Sequence, residues 1–243
     1  VTERIYTTQA YERTMQATVI DSDPGDGSVL LDRTVFYPGG GGQPHDLGTL
    51  TAGAVRYDVV RVSQDDRGVW HWIDGPVPTT GTDVIGELDW ERRHLLMRTH
   101  TAMHTLTAVI WKRFQSPATG GNMKPGEGRL DFEIPQWTAE DRPAVEAEFN
   151  RQLALDYPLT VSFLDRAEAD KDPSLIRTKV SLLPPSLKTV RVIDIVGLDR
   201  QADGGTHVAS TAEVGRVRIT KAESKGKGFR RLRFVVEDGT VGG

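Results

Sequence analysis

Apolar stretches separated by Gly, Pro and Asp mark out the first third of the chain. Met15 to Ile20, Ser28 to Leu31, Thr34 to Tyr37, Leu47 to Thr51, Val55 to Val62, Val69 to Ile73 and Asp83 to Leu88 each read as a short strand. Many short strands with frequent turn signals predict a small β-barrel, and "PGDG" at 24–27 is a turn by its chemistry. At Asp89 the pattern changes. "DWERRHLLMRTHTAMHTLTAVIWKRF" runs on without Gly or Pro, so it predicts one long helix with Asp89 able to cap its start. Two domains are expected, 1–88 and 89–243.

Beyond the helix, "SPATGGNMKPGEG" reads as a loop and Arg129 to Ile134 as a strand. Thr138 with Asp141 three residues on resembles a capping box. Val145, Phe149 and Leu153 then give a second helix an apolar stripe at the i, i+4 spacing. Strands are expected at Leu159 to Leu164, Thr189 to Ile195, Gly215 to Lys221 and Phe229 to Val236. Helices on one face of a mostly antiparallel sheet are the α+β solution to this order.

"FYPGGGGQPHDLG", residues 36–48, holds four consecutive glycines. Glycine-rich tracts are commonly flexible linkers. Here strand-like segments flank the run, and Gln43 and Asp46 are not linker filler. An ordered loop built for close backbone approach is the better reading.

Of six histidines, three fall in two compact motifs. His100 and His104 lie one helical turn apart, on one face of the long helix. The apolar arc of Leu96, Met103, Leu106 and Ile110 leaves them at its edge, as the rim of a core-facing groove. In "ADGGTHV", Asp203 and His207 are spaced around Gly204 and Gly205, a turn that lets two side chains converge. Three imidazoles and a carboxylate make a tetrahedral set that suits zinc or another divalent ion. "HTAMH" lacks the glutamate base of a zinc protease.

Composition narrows the classes. The chain has no cysteine, so disulfides and thiol nucleophiles are excluded. No apolar run approaches the ~20 residues of a membrane helix, and the N-terminus lacks a signal-peptide layout; a cytoplasmic protein is expected. Net charge is −4, yet Arg216, Arg218, Lys221, Lys225, Lys227, Arg230, Arg231 and Arg233 face only Glu223 within their stretch. Such a local basic stripe attracts phosphate. By strand alternation Arg231 and Arg233 take one face, Leu232 and Phe234 the other.

"FYPGGGGQPHDLG", "RTHTAMH" and "DGGTHVASTAEVG", in this order, resemble the motifs of the alanyl-tRNA editing domain, including the freestanding AlaX family in its longer form. The resemblance covers nearly the whole chain. It implies a translation-factor-like β-barrel, then an α/β editing domain of the kind shared with some threonyl-tRNA synthetases. The activity it implies is translation-fidelity hydrolysis of the ester joining serine, and also glycine, to alanine tRNA. Its metal ligands carry over to His100, His104 and His207, with Asp203 at a position where the family usually has cysteine. It also implies that Gly39, Gly40, Gly41 and Gly42 approach the tRNA end, with Gln43 beside the reacting ester. Thr101, Asn122 and Thr206 are candidates for substrate contact, and Lys225, Lys227, Arg230 and Arg231 for tRNA. Two rival readings remain: a tRNA-binding paralogue with weakened catalysis, raised by Asp203, and a metal-dependent hydrolase of a small-molecule ester.

Overall fold

The structure is a computed structural model that describes residues 2–172, 175, 188–226 and 228–237. The chain divides into two compact units, Val1–Leu95 and Leu96–Gly243.

The first unit is built on strands β1 (Glu3–Arg4), β2 (Thr14–Asp23), β3 (Ser28–Leu31), β4 (Arg33–Thr34), β5 (Gly48–Ala52), β6 (Val55–Gln64), β7 (Val69–Ile73) and β8 (Asp83–Leu88). Six of them close a barrel in the order β2-β3-β7-β6-β5-β8, while β1 pairs in parallel with β4 beside it. Alternation drives closure. Met15, Ala17 and Val19 of β2 and Val84 and Leu88 of β8 point inward, onto Leu31, Leu50, Val59 and Val69.

The expected strand Thr34 to Tyr37 stops at Thr34. Val35, Phe36 and Tyr37 are buried all the same, because side chains rather than a neighbouring strand satisfy their backbone. Thr34 Oγ1 accepts from the Phe36 amide at 3.0 Å, and Asp46 Oδ2 accepts from the Tyr37 amide at 2.6 Å. A guanidinium nitrogen of Arg93 donates to the Val35 carbonyl at 2.6 Å. The glycine run that follows is a formed turn. Gly40 and Gln43 exchange both backbone hydrogen bonds, at 3.0 and 2.9 Å, across Gly41 and Gly42. Those two have φ of +56° and +89°, and Gly39 and Gly40 have +87° and +129°. A two-residue primed hairpin turn demands positive φ that side chains resist. Tyr37 caps the turn by donating its hydroxyl to the Gly40 carbonyl at 3.1 Å.

Helix α1 runs Trp90–Phe114. Asp89 Oδ1 accepts the Arg92 amide at 3.1 Å, the bond of an N-cap residue. The second unit continues with β9 (Ala118–Lys124), β10 (Glu127–Glu133), α2 (Asp141–Ala154), β11 (Leu159–Asp165), β12 (Thr189–Ile195), β13 (Asp199–Ala202), β14 (Val217–Ser224) and β15 (Phe229–Val236). Its strands form two antiparallel sheets, β14-β15-β10-β9 and β11-β12-β13. The stretch read as a loop after α1 is largely strand β9. Gly120 and Gly121 carry no apolar signal, and their backbone pairs with Asp131 and Leu130 of β10.

Helix α2 starts at Asp141, whose carboxylate takes both the amide and the hydroxyl of Thr138, at 2.7 and 3.1 Å. Val145, Phe149 and Leu153 are buried, and Phe149 meets Phe234 edge-on. The polar flank of α2 covers the outer edge of β14. Arg142 donates to the Ile219 carbonyl, Glu146 accepts the Ile219 amide, and Asn150 bonds both backbone groups of Val217. An open strand edge is thereby blocked by side chains. Among the described residues no helix is long and apolar enough to cross a membrane.

Candidate metal centre

The middle of α1 does not behave as an amphipathic helix. Every residue from Thr99 to Ile110 is buried. Met103 and Thr99 face the β9–β10 hairpin, Met103 packing at Gly121 and Thr99 accepting the Gly126 amide. Thr101 faces the loop after β13, meeting His207. His100 and His104 are therefore not rim residues; they are only 3% and 7% exposed. Elements on two sides of one helix bury it, which no single apolar arc foretells. The threonines this places in the interior bond back to helix carbonyls, Thr105 to Thr101 and Thr107 to Met103.

The second half of the site hangs from β12 and β13. The Asp203 amide donates to the Arg191 carbonyl, and the Asp203 carboxylate accepts the Gly205 amide at 2.6 Å. The buried Arg191 guanidinium donates to the carbonyls of Asp203 and Gly205 at 3.0 and 2.8 Å. This clamp fixes the glycine turn, so that His207 folds back on Asp203.

The three imidazoles all turn Nε2 towards one carboxylate. The distances to Asp203 are 3.5 Å from His100, 4.0 Å from His104 and 3.1 Å from His207. One donor atom from each of the four residues lies within 4.8 Å of the other three. The rings of His100 and His207 stack, with centroids 4.3 Å apart, and His104 stands edge-on to both. The outer nitrogen of His207, Nδ1, lies 3.1 Å from Thr101 Oγ1.

Electrostatics favour the ligand forms. Burial holds His100 well below the usual imidazole range and His207 down at about 4, so both are neutral near pH 7. Asp203 is held well below the usual carboxylate range against the cost of its burial, so it stays a carboxylate, and its Oδ2 accepts the Gly205 amide. Burial also opposes charge on His104, yet Asp199 and Asp203 together raise it. Two imidazoles held neutral, a third whose proton a bound cation would displace, and an ionised carboxylate converge in the interior, a donor set that fits a divalent cation.

The remaining candidates are spread over both units. Thr101 and Thr206 have no solvent exposure; Thr101 supports His207 from behind. Asn122 is exposed on β9, across from Arg129. Gln43 is buried in the glycine turn of the first unit. Lys225 is exposed beyond β14, and Lys227 lies outside the described residues. Arg230 is half-buried, with a buried Nε that has no hydrogen-bond partner among the described residues. Arg231 makes a two-pronged pair with Asp131 of β10, at 2.7 and 2.6 Å. Arg233 pairs with Glu223 and Arg218 with Glu237. The basic stripe is thus partly neutralised, by Glu223 within it and by Asp131 and Glu237 outside it. Leu232 and Phe234 are buried beneath it. Two residues with clear places near the histidines carried no signal of their own in the sequence: Arg191 inside a strand, and Asp199 at the start of the unforeseen β13.

Comparison with known proteins agrees with this geometry. Residues 190–233 match the family described as the threonyl and alanyl tRNA synthetase second additional domain, and residues 4–92 match that of class II (A) tRNA synthetases. The alanyl-tRNA editing protein AlaX-M of Saccharolobus solfataricus is 34% identical over 241 residues, covering 98% of this chain and 100% of that protein. The AlaX-M protein of Methanosarcina barkeri is also 34% identical, over 244 residues, with the same coverage. An alanine–tRNA ligase from Pyrobaculum aerophilum is 33% identical over 96% of this chain, which corresponds to 27% of the ligase. The similarity therefore runs through barrel, glycine turn and histidine cluster together, and the chain belongs to the AlaX-M family of alanyl-tRNA editing proteins.

Proposed function

We propose that the protein is a freestanding aminoacyl-tRNA deacylase that clears mischarged alanine tRNA, removing serine and, secondarily, glycine. The observation that carries this reading is the convergence of His100, His104, His207 and Asp203 in a chain matched end to end by proteins named for alanyl-tRNA editing. We place it in the cytoplasm, where charged tRNA is used.

His100, His104 and His207, with Asp203 as fourth ligand, would hold one divalent ion, zinc by preference. Such an ion supplies a Lewis acid for the ester carbonyl or an activated water. The protein's own part is positioning. With its proton on Nδ1, His207 donates to Thr101 Oγ1 and leaves the Nε2 lone pair facing the cluster. Arg191 locks the turn that carries Asp203. Gln43, held by the glycine turn, orients the reacting end of the tRNA in this proposal. Asn122 is the substrate-contact candidate that solvent reaches. Lys225, Lys227 and Arg230 are assigned to phosphate, where contacts give affinity without reading sequence. Arg231 joins them with its charge already matched by Asp131.

The selectivity has a physical basis. A pocket shaped for alanine excludes smaller glycine and slightly larger serine poorly by size, so a second site that hydrogen-bonds the serine hydroxyl supplies the discrimination. Single-turnover deacylation of seryl-, glycyl- and alanyl-tRNA, with and without a chelator, tests the reading. Seryl ester should disappear fastest, alanyl ester should persist, and chelation should stop the reaction. Hydrolysis that is absent for all three would leave a tRNA-binding paralogue instead.

A further inference from the structure

The outer nitrogens of the two edge-on rings, His207 and His104, are treated differently. His207 Nδ1 has the Thr101 hydroxyl at 3.1 Å. His104 Nδ1 is buried and has no hydrogen-bond partner among the described residues. A buried polar nitrogen without a partner is costly, so what faces it matters. That group is the Asp199 carboxylate, whose Oδ2 lies 3.8 Å away, close but too long for a hydrogen bond.

Asp199 is itself placed with care. It opens β13 opposite Ile195 of β12, so the sheet sets its position. Its side chain is buried, and its Oδ2 accepts the Gln201 amide group at 2.5 Å. A buried carboxylate is costly unless it serves a donor. Here the imidazole nitrogen that faces it, His104 Nδ1, belongs to the residue whose opposite nitrogen faces Asp203.

We infer that Asp199 is a positioning residue for His104, a carboxylate that accepts a hydrogen bond from Nδ1–H and keeps Nε2 turned towards Asp203, His100 and His207. The inference rests on the reading of the cluster as a divalent-ion site. It adds an outer layer to that site: Thr101 behind His207 and Asp199 behind His104. The hydrogen bond requires the 3.8 Å gap to shorten to about 2.7–3.2 Å. An orienting carboxylate fixes the tautomer and raises the basicity of the ligating nitrogen.

The test measures metal, not tRNA, so it stands apart from the deacylase reading. Zinc affinity is measured by competition with a chelating dye for the wild type, Asp199→Asn and His104→Ala, and for the double variant. The visible spectrum of the cobalt-loaded proteins is recorded alongside. Asp199→Asn should keep the fold by circular dichroism, weaken zinc binding roughly 10- to 100-fold, and shift the cobalt bands. In the His104→Ala background the same change should do nothing further, because its route to the metal is gone. Asp199→Glu should recover part of the affinity. Asp199→Ser supplies a second neutral variant should the Asn form not fold. Unchanged affinity and spectrum in a folded neutral variant, or losses that simply add in the double variant, would overturn the inference. No zinc binding by the wild type would remove the site itself.

Discussion

Arg93 and Asp46 form an ion pair wholly inside the first unit, 0% and 1% exposed, joining the first turn of α1 to the base of the glycine loop. Arg93 Nε lies 3.0 Å from each carboxylate oxygen, and the remaining guanidinium nitrogens donate to the carbonyls of Ala10 and Val35. The carboxylate also accepts the Tyr37 amide, and Arg92 donates to the His45 carbonyl next door. The loop is therefore held at its root as well as at its tip. Asp46→Ala strands a buried guanidinium, and breaking such a pair on one side costs about 3–5 kcal/mol. Urea unfolding should show that loss, with Arg93→Met plus Asp46→Leu recovering much of it; an Asp46→Ala protein of wild-type stability would refute the account.

His71 sits in the barrel core with its Nε2 2.9 Å from Thr34 Oγ1, and burial lowers its pKa from 6.5 to about 4. Between these values the unfolded chain binds more protons than the folded one. Stability is then full above pH 6.5 and falls as pH drops towards 4, by about 3 kcal/mol for this group. The comparison with His71→Gln isolates it from the other buried histidines. The difference between the two proteins' denaturant midpoints should shrink as the pH is lowered through that window; a constant difference would argue against a neutral buried His71.

The chain contains no cysteine, and its four methionines are all buried. Asp203→Cys should still hold zinc and keep deacylation within about tenfold, since thiolate is a good zinc ligand. Peroxide should then separate the two proteins. In the variant the thiolate attacks the peroxide, an S–O bond forms as O–O breaks, and hydroxide leaves. Metal should be released from the variant and retained by the wild type, as measured by dialysis and elemental analysis. A far larger loss of activity in unoxidised Asp203→Cys would point to a role specific to the carboxylate, such as a general base.

Lys225→Ala with Lys227→Ala should weaken tRNA binding and flatten its salt dependence by up to about two phosphate contacts. Gln43→Ala should leave binding largely intact and slow hydrolysis. Salt-titrated binding beside single-turnover deacylation checks both. An unchanged affinity and slope would make the hairpin a solvated surface, and normal hydrolysis by Gln43→Ala would make the glycine turn structural only.

Features that depend on neighbours along the chain were legible from the residues alone. Strands at Ser28–Leu31, Val69–Ile73, Asp83–Leu88, Thr189–Ile195 and Phe229–Val236 follow from local runs and turn signals. The Asp89 cap, the Thr138–Asp141 start of α2 and the order of the motifs are equally local. Features that depend on residues far apart in the chain emerge only from the packing. β9 is a strand because β10 offers it a ladder, not because its glycines favour one. His100 and His104 are buried because two elements meet α1 from different sides, which a one-helix apolar arc does not encode. Arg231 loses its free charge to Asp131, one hundred positions away. Asp199 faces His104 only after β12 and β13 pair. Periodicity records which face of an element is apolar; which partner covers that face, and which carboxylate meets which cation, is set by packing across the whole domain.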